Sequence, residues 1–502
     1  MFLISCLLIC YLIRIARLYY RSYWSVQRLS AIPQPPIDGY MTGHGKTLNK
    51  WKKENKMLEL WINWHNTYGD TFVFYISTRP IMWTADPAIL KEITTDLRHY
   101  RKFDGLPNRS LYGQRLVGTE SILSGNGLSW ALKRKVMSQF FAKVNMEELF
   151  YKCKPHMEET ELSRWKKVIG SGKKIELHDQ LAITFTSYLM VMGFHNFMGS
   201  EKIAKNVYQI LEALPKQLNS WLSFLCSEAK DETVKMIHEM RTEAKRAVMA
   251  SNKKKNVLKR RGEKPSTTNM LGFLIDANNQ TVSGQKRSLD DTTIFTIDDI
   301  MTVCLVMDNM VKQISSLFML LNDEPECQRK MFQELRETPI DTFEGLNSLK
   351  YTEQCILECL RLRPVLTRGT RTYNFKKEEE CKFGGYIVNE RSVRVVFSEY
   401  VLHHSPKYWE DPEKFNPERW YPGFVPEPFS YMPFFVGSRG CIGKHMAMML
   451  MKLTLSVLAR NFDMEQDFDP DNMPDFTQEF AVMRLKNNVD VWVQPHQPTE
   501  GC

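Results

Sequence analysis

An almost wholly apolar stretch opens the chain at residues 2–13, and basic side chains follow it. The stretch is shorter than the roughly 20 apolar residues that a membrane-spanning helix needs. Arg14, Arg17 and Arg21 have long stems that can lie along apolar surface while their charged ends reach water. Because these cations follow the apolar stretch, the positive-inside rule predicts that the rest of the chain is cytosolic. The pattern predicts a membrane anchor with a basic flank over residues 1–30; a buried core helix is the alternative.

Further along, one strand and one long helix are predicted clearly. Residues 71–76 read TFVFYI, a short aromatic and β-branched run that is typical of a small sheet. Most of the chain after this run has helical patterning, including a long apolar helix over residues 296–321. Asp298 and Asp299 suit its first turn, since helix N-termini attract negative charge. The pattern predicts a mainly α fold with a small β subdomain.

Composition and charge narrow the class of protein. The chain has 502 residues, 43% of them hydrophobic and 25% charged, and no long Pro, Gly or Ser linker divides it. We therefore expect one domain over residues 31–502 behind the anchor. The net charge of +9 favours anionic membrane surfaces and acidic protein partners, and no nucleic-acid motif is present. Eleven scattered cysteines without a Cys-x-x-Cys pair favour a reducing, cytosol-facing location.

The candidate chemistry centres on Cys441. Residues 434–443 read FFVGSRGCIG, a glycine-rich loop that presents this cysteine just before a predicted helix. A thiolate is an electron-rich metal ligand, and a helix N-terminus favours the deprotonated form. Gly437 and Gly443 suit a tight turn that lets backbone approach a flat cofactor, and Arg439 suits a carboxylate. A buried free cysteine is the alternative for Cys441.

The full spacing Phe-x-x-Gly-x-Arg-x-Cys-x-Gly, from Phe434 to Gly443, resembles the haem-binding loop of cytochrome P-450 monooxygenases. Three further stretches resemble motifs of that family and occur in the family's order. They are Trp130-x-x-x-Arg134, Glu358-x-x-Arg361, and residues 415–420 with Arg419. The resemblance implies the cytochrome P-450 fold, with residues 31–502 forming a single haem-thiolate catalytic domain.

The resemblance also implies roles for these residues. Cys441 would be the proximal ligand of haem b, whose propionates would be held by Trp130, Arg134, Arg371 and Arg439, with Arg368 as a competitor of Arg371. Phe434, Gly437 and Gly443 would shape the loop around the haem. Glu358, Arg361 and Arg419 would form a charged network that fixes the approach to that loop, since buried charges need partners.

The distal helix departs from the family pattern. Where the family has small residues, an acid and a threonine, this chain has Leu305, Val306, Asp308 and Asn309. The acid and threonine of the family organise water that delivers protons during oxygen activation, so Asp308 and Asn309 are the candidate catalytic residues. An asparagine amide can still donate and accept hydrogen bonds. Lys312 is four residues after Asp308, and we expect the two to be neighbours on the helix surface.

The expected substrate is hydrophobic. The resemblance implies that the substrate pocket of this chain is lined by five apolar residues: Leu305, Val306, Val365, Leu366 and Val482. Within the family, several blocks are most similar to the cholesterol 24-hydroxylase group: residues 32–36, 112–118, 415–420 and 429–434.

This similarity implies insertion of one O₂-derived oxygen atom into a sterol or similar lipid. Electrons would come from NADPH through NADPH-cytochrome P-450 reductase, at the endoplasmic reticulum membrane. Two alternatives remain because of the altered distal helix: an O₂-independent lipid isomerase or dehydratase, and a catalytically weak haem or sterol binder.

Overall fold

The structure is a computed structural model, and it describes most of the chain. The described residues are 2–97, 99–102, 116, 118, 121–170, 172–194, 199–219, 232–260, 270–271, 297–374, 382–388, 392–466, 476–479, 482–485 and 489–496. Helices dominate them, as the sequence predicts.

The helices of the first half begin with the apolar N-terminal stretch, which continues well beyond residue 13. They are α1 (Phe2–Arg28), α2 (Gly45–Lys53), α3 (Met57–Tyr68), α4 (Pro87–Thr95), α5 (Gly127–Phe140), α6 (Met146–Pro155), α7 (Leu162–Ile169), α8 (Leu177–Leu189), α9 (Ser200–Asn219) and α10 (Glu232–Arg260). Wider π turns follow α6 and α8, at His156–Glu161 and Met190–Phe194.

The helices of the second half include the one that follows the cysteine loop. They are α11 (Ile297–Val306), α12 (Asp308–Asn322), α13 (Pro325–Glu337), α14 (Phe343–Asn347), α15 (Lys350–Leu362), α16 (Glu399–His403) and α17 (Lys444–Asn461). Short 3-10 turns lie at Lys143–Asn145, Pro417–Trp420 and Gly437–Arg439.

Four small sheets complete the described fold. Their strands are β1 (Thr71–Ile76), β2 (Arg79–Thr84), β3 (Tyr100–Lys102), β4 (Lys173–Glu176), β5 (Gly369–Asn374), β6 (Lys382–Phe383), β7 (Tyr386–Ile387), β8 (Ser392–Phe397), β9 (Phe462–Gln466), β10 (Phe476–Glu479), β11 (Val482–Leu485) and β12 (Asp490–Pro495). The predicted strand at 71–76 is confirmed as β1. The largest sheet has the order β1-β2-β8-β5-β3, and only its β2–β8 pairing is parallel.

Two hydrophobic clusters form the core. One lies among the helices and includes residues of α5, α8, α11, α12, α15 and α17. The other lies between the large sheet and α3, and Leu29 and Ile32 belong to it. The end of α1 is therefore attached to the body of the protein.

The predicted long helix at residues 296–321 is divided at Met307. α11 ends at Val306, α12 begins at Asp308, and the Met310 amide donates to the Met307 carbonyl at 3.2 Å. Among the described residues, the span from Ile297 to Asn322 alone is long and apolar enough to cross a membrane, with a mean hydropathy of 1.3. Since 72% of its apolar window is buried inside the protein, this span is a core helix.

Candidate active site

The Cys441 loop is closed by its own backbone. The Cys441 amide donates to the Phe434 carbonyl at 2.7 Å. Gly437 has a φ of 71°, and a Cβ atom there would lie 2.6 Å from the Thr94 carbonyl oxygen at the end of α4. Gly443 has a φ of −89°, and a Cβ atom there would meet only ordinary contacts at 3.9 Å. The turn therefore requires glycine at 437 but not at 443.

The thiol of Cys441 lies two residues before the cap of α17. Its side chain reaches solvent, yet desolvation by the surrounding protein raises the pKa of the Cys441 thiol. The Gly443 amide, Arg134 and Lys444 oppose this rise. The expected help from the helix N-terminus is thus present but smaller than the cost of desolvation. The surrounding protein therefore favours the protonated thiol of Cys441.

Arg439, Trp130 and Arg134 come together beside this loop. The Arg439 guanidinium lies 3.4 Å from the centre of the Trp130 ring, a cation–π contact. It also donates from Nη2 to Asn126 Oδ1 at 3.0 Å. Arg134 donates from Nη2 to the carbonyl of Gly440 at 2.6 Å. The structure therefore places two sequence-predicted residues of α5 against the cysteine loop.

Arg371 adds a third guanidinium to this region. Burial, then repulsion from Arg371 and Arg134, lowers the pKa of Arg439 to about 9. Burial also lowers the pKa of Arg371 to about 10. Among the described residues, the buried Arg371 Nε and the Arg439 Nε and Nη1 atoms have no hydrogen-bond partner. Donors of this kind match carboxylates, so these residues fit the propionates of a haem.

The competitor Arg368 lies elsewhere along the same segment. Its guanidinium is 5.6 Å from the centre of the Trp61 ring in α3. Two residues near Arg371 were missed by sequence reasoning as site residues. Burial, Arg371 and Arg439 lower the pKa of Lys102 to about 7, and burial raises the pKa of Glu399 well above its usual range. No motif spacing connects either residue with Arg371, so the sequence carries no signal for their position there.

Glu358 organises the predicted charged network. Its carboxylate accepts from Arg361 Nη2 at 2.9 Å and Nε at 3.0 Å, and from Arg419 Nε at 2.9 Å. Trp420 Nε1 and the Asn416 amide donate to the same carboxylate at 2.9 and 3.0 Å. Glu358 and Arg361 are fully buried. The three residues predicted from the sequence are together, and Trp420 is a fourth side chain that the charge pattern did not indicate.

Asp308 is held by two cationic or potentially cationic side chains. Lys312 Nζ lies 2.6 Å from Asp308 Oδ2, and His178 Nε2 on α8 lies 3.6 Å from Oδ1. Burial alone would raise the pKa of Asp308, but Lys312 and His178 outweigh it and hold that pKa well below its usual range. The expected Asp308–Lys312 contact is present; His178 was not foreseen, because it is 130 residues earlier in the chain.

The predicted pocket residues come from three segments. Leu305 is buried in the core, whereas Val306 keeps 38% of its surface exposed. Val365 and Leu366 are half-buried and lie shortly before β5.

Val482 begins β11, which pairs antiparallel with β10. Residues 480–481 and the Val482 side chain lie outside the described part. The Met483 amide donates to the Val365 carbonyl at 2.9 Å, and α12 lies against β11.

Comparison with known proteins agrees with this geometry. The family model described as Cytochrome P450 matches residues 33–491. Cytochrome P450 3A41 of Mus musculus is 24% identical over 473 residues, covering 86% of this chain and 85% of the relative. Taurochenodeoxycholic 6 alpha-hydroxylase of Sus scrofa is 23% identical over 501 residues, covering 95% and 94%.

A solved structure shares the fold. The crystal structure of the cytochrome P450DA heme domain aligns with a TM-score of 0.75 at 18% identity, covering 93% of this chain and 98% of that one. The family match spans nearly the whole chain and includes the loop around Cys441. The predicted family and fold are confirmed: the chain belongs to the cytochrome P450 family of haem-thiolate monooxygenases.

Proposed function

We propose that the chain inserts one O₂-derived oxygen atom into a sterol-like hydrophobic substrate, in the manner of a cholesterol 24-hydroxylase. Electrons come from NADPH through NADPH-cytochrome P-450 reductase. The enzyme is anchored in the endoplasmic reticulum membrane by residues 1–30, with residues 31–502 facing the cytosol. A relative whose name denotes hydroxylation of taurochenodeoxycholic acid, a steroid acid, supports a sterol-like substrate.

Haem b, implied by the family fold, supplies oxygen activation when it is bound through the Cys441 thiolate. Arg134, Arg371 and Arg439 would hold its propionates, and Trp130 orients Arg439 by stacking at 3.4 Å. Gly437 lets the loop approach α4 closely. The network around Glu358 fixes residues 416–420, which lie upstream of the loop, in place.

Asp308 and Asn309 are the proposed proton-handling residues. The Asn309 amide can hold a water molecule by donating and accepting hydrogen bonds, but it has no hydroxyl proton. Asp308 Oδ2 can pass a proton only when it is released from Lys312 Nζ. Because the pKa of Asp308 is held low, its resting state is the carboxylate. Proton delivery therefore depends on how readily Lys312 and His178 let this side chain move.

The observation that carries the haem-thiolate assignment is the set of buried arginine nitrogens without partners beside the Cys441 loop. We expect the reduced, carbon-monoxide-bound protein to show the far-red-shifted Soret band of a haem thiolate. Cys441→Ala should abolish that band, because the alanine offers no ligand atom. Cys327→Ala, at a half-buried free cysteine of α13, is the matched control and should keep it. Persistence of the band in Cys441→Ala would show that another residue is the ligand.

The reaction is tested by product analysis. Purified enzyme, reductase and a panel of sterols are incubated with NADPH under isotopically labelled O₂. A product that carries one labelled oxygen atom and requires both NADPH and reductase supports the proposal. A normal thiolate spectrum without such a product on any sterol would contradict the sterol assignment.

The locked Asp308 favours a second candidate function. A haem-thiolate enzyme that rearranges an oxygenated lipid needs no proton delivery to O₂, so it could tolerate an acid fixed by Lys312 and His178. Conversion of a lipid hydroperoxide without NADPH, reductase or O₂ would identify this activity.

A further inference from the structure

Asp299, in the first turn of α11, makes two buried contacts with residues far away in sequence. Its Oδ2 atom accepts from Lys133 Nζ at 3.0 Å, and its Oδ1 atom accepts from the Ile122 amide at 2.6 Å. The Lys133 and Asp299 side chains are 1% and 0% exposed. A buried ion pair of this kind is costly to break, because removing one partner takes away the opposite charge that offsets the burial of the other.

Both contacts lead to α5. Lys133 lies on α5 between Trp130 and Arg134 in sequence. The carbonyl of Ile122 accepts from Trp130 Nε1 at 3.0 Å, so the same short segment joins Asp299 to the Trp130 ring. That ring supports the Arg439 guanidinium. One carboxylate at the start of the distal helix therefore restrains, by two routes, the helix that carries Trp130 and Arg134.

We propose that Asp299 and Lys133 are positioning residues for haem retention, because their ion pair sets the placement of α5 relative to α11. The proposal rests on the haem-thiolate assignment but not on the identity of the substrate. Residues that directly support metal ligands typically change metal affinity by about 10–100-fold. Because Asp299 and Lys133 act less directly, through Trp130 and α5, we expect an effect near the lower end.

The test compares haem loss with thermal stability. Four variants are compared with the wild type: Asp299→Asn, Lys133→Met, the double variant, and Lys133→Arg as the conservative replacement. Haem loss is measured as transfer from the reconstituted enzyme to excess apomyoglobin, and Tm is measured on the same samples. Glu161→Gln is the matched control, because Glu161 is equally buried and pairs with Arg164 at 2.9 Å.

We expect the two single charge-removing variants to lose haem roughly tenfold faster than the wild type. The double variant should regain much of the lost Tm, because both buried charges are removed together, but should still lose haem quickly. Lys133→Arg should lose haem slowly, since the ion pair persists.

Recovery of both Tm and haem retention in the double variant would overturn the proposal. It would show that each charge only offsets the cost of burying the other and that the ion pair does not position α5. Haem loss that follows Tm in the same way as for Glu161→Gln would also overturn it. A wild-type protein without any haem spectrum is a distinct result, which would refute the haem assignment and this proposal together.

Discussion

Asp308 keeps the acidic residue type of the family's distal helix, but its neighbours change its ability to pass a proton. The residue type suits a proton relay, but the carboxylate is buried between Lys312 Nζ at 2.6 Å and His178 Nε2 at 3.6 Å. A buried ion pair holds its members in place more than it adds stability. The chemistry of the distal side therefore depends on the two partners as much as on the acid.

Proton delivery should be slow in the wild type, with NADPH consumed and peroxide released in excess of product. Asn309→Thr supplies a hydroxyl proton, and Lys312→Asn removes the nearer of the two side chains that hold the Asp308 carboxylate. General acid–base groups contribute about 10²–10⁴-fold, so even partial restoration should raise the ratio of product to NADPH consumed by roughly twofold or more. Parallel measurement of NADPH oxidation, peroxide and product gives this ratio.

Lys154→Asn is the control for that experiment, since Lys154 at the end of α6 forms a similar i,i+4 pair with Glu158, in the π turn that follows, at 2.9 Å. It should leave the ratio unchanged. A wild type that is already tightly coupled, and that Asn309→Thr makes worse, would show instead that Asn309 is a working relay residue.

His403 gives a pH-dependent contribution to stability. Its Nδ1 donates to the Arg361 carbonyl at 3.1 Å, and its Nε2 accepts from the Met432 amide at 3.0 Å. Burial, together with Arg361, lowers the pKa of His403 to about 3, against 6.5 when unfolded. Below pH 6.5 His403 binds a proton in the unfolded chain but stays neutral in the folded chain. The contribution of His403 to the free energy of unfolding is therefore present above pH 6.5 and is lost progressively as the pH falls.

We expect the free energy of unfolding to fall by about 1.4 kcal/mol per pH unit from this histidine between about pH 6.5 and roughly 5. His403→Gln should reduce that slope by about one proton, as measured by urea unfolding across this range. His238→Gln, at an exposed position of α10, is the control. An unchanged slope in His403→Gln would mean that His403 is protonated in the folded protein.

Among the helices and strands, the sequence predicted those whose pattern is local. The strand predicted at residues 71–76 is confirmed as β1, and the motif around Cys441 leads into α17 as expected. The acids Asp298 and Asp299 were predicted to favour a helix N-terminus. Both lie in the first turn of α11, as predicted, but their carboxylates also contact Arg241 at 2.5 Å and Lys133 at 3.0 Å, on α10 and α5. Spacing along one helix cannot show such partners.

The division of the distal helix at Met307 was also not predictable from the hydrophobic period. The stretch contains no proline or glycine, which are the usual signals for a break. Val306 and Asp308 end up on different helices, and only Val306 is exposed. The positions of His178, Trp420 and Lys102 were not predictable either, because the fold of the chain brings these side chains to the site.

The molecule as a body consists of a helical core and a sheet core, and the end of α1 packs on the latter. Leu29 is fully buried, and Tyr23 contacts Tyr40 with ring centres 5.3 Å apart. Earlier on α1, Leu7 to Ile13 present large exposed apolar side chains. The proposed anchor at residues 1–30 thus has two parts, an exposed apolar first half and a second half that is attached to the sheet core.

Removal of residues 2–18 should move the protein from the membrane fraction to the soluble fraction, because it deletes exposed apolar surface and spares Tyr23 and Leu29. Haem spectrum and Tm should be retained. Removal of residues 2–30 should also release the protein, but with lower stability; loss of a buried leucine side chain alone costs about 2–5 kcal/mol. The full-length variant Leu29→Ala separates the two effects, since it should stay in the membrane fraction and show the lower Tm. Full membrane retention after removal of residues 2–18 would show that another surface is the main anchor.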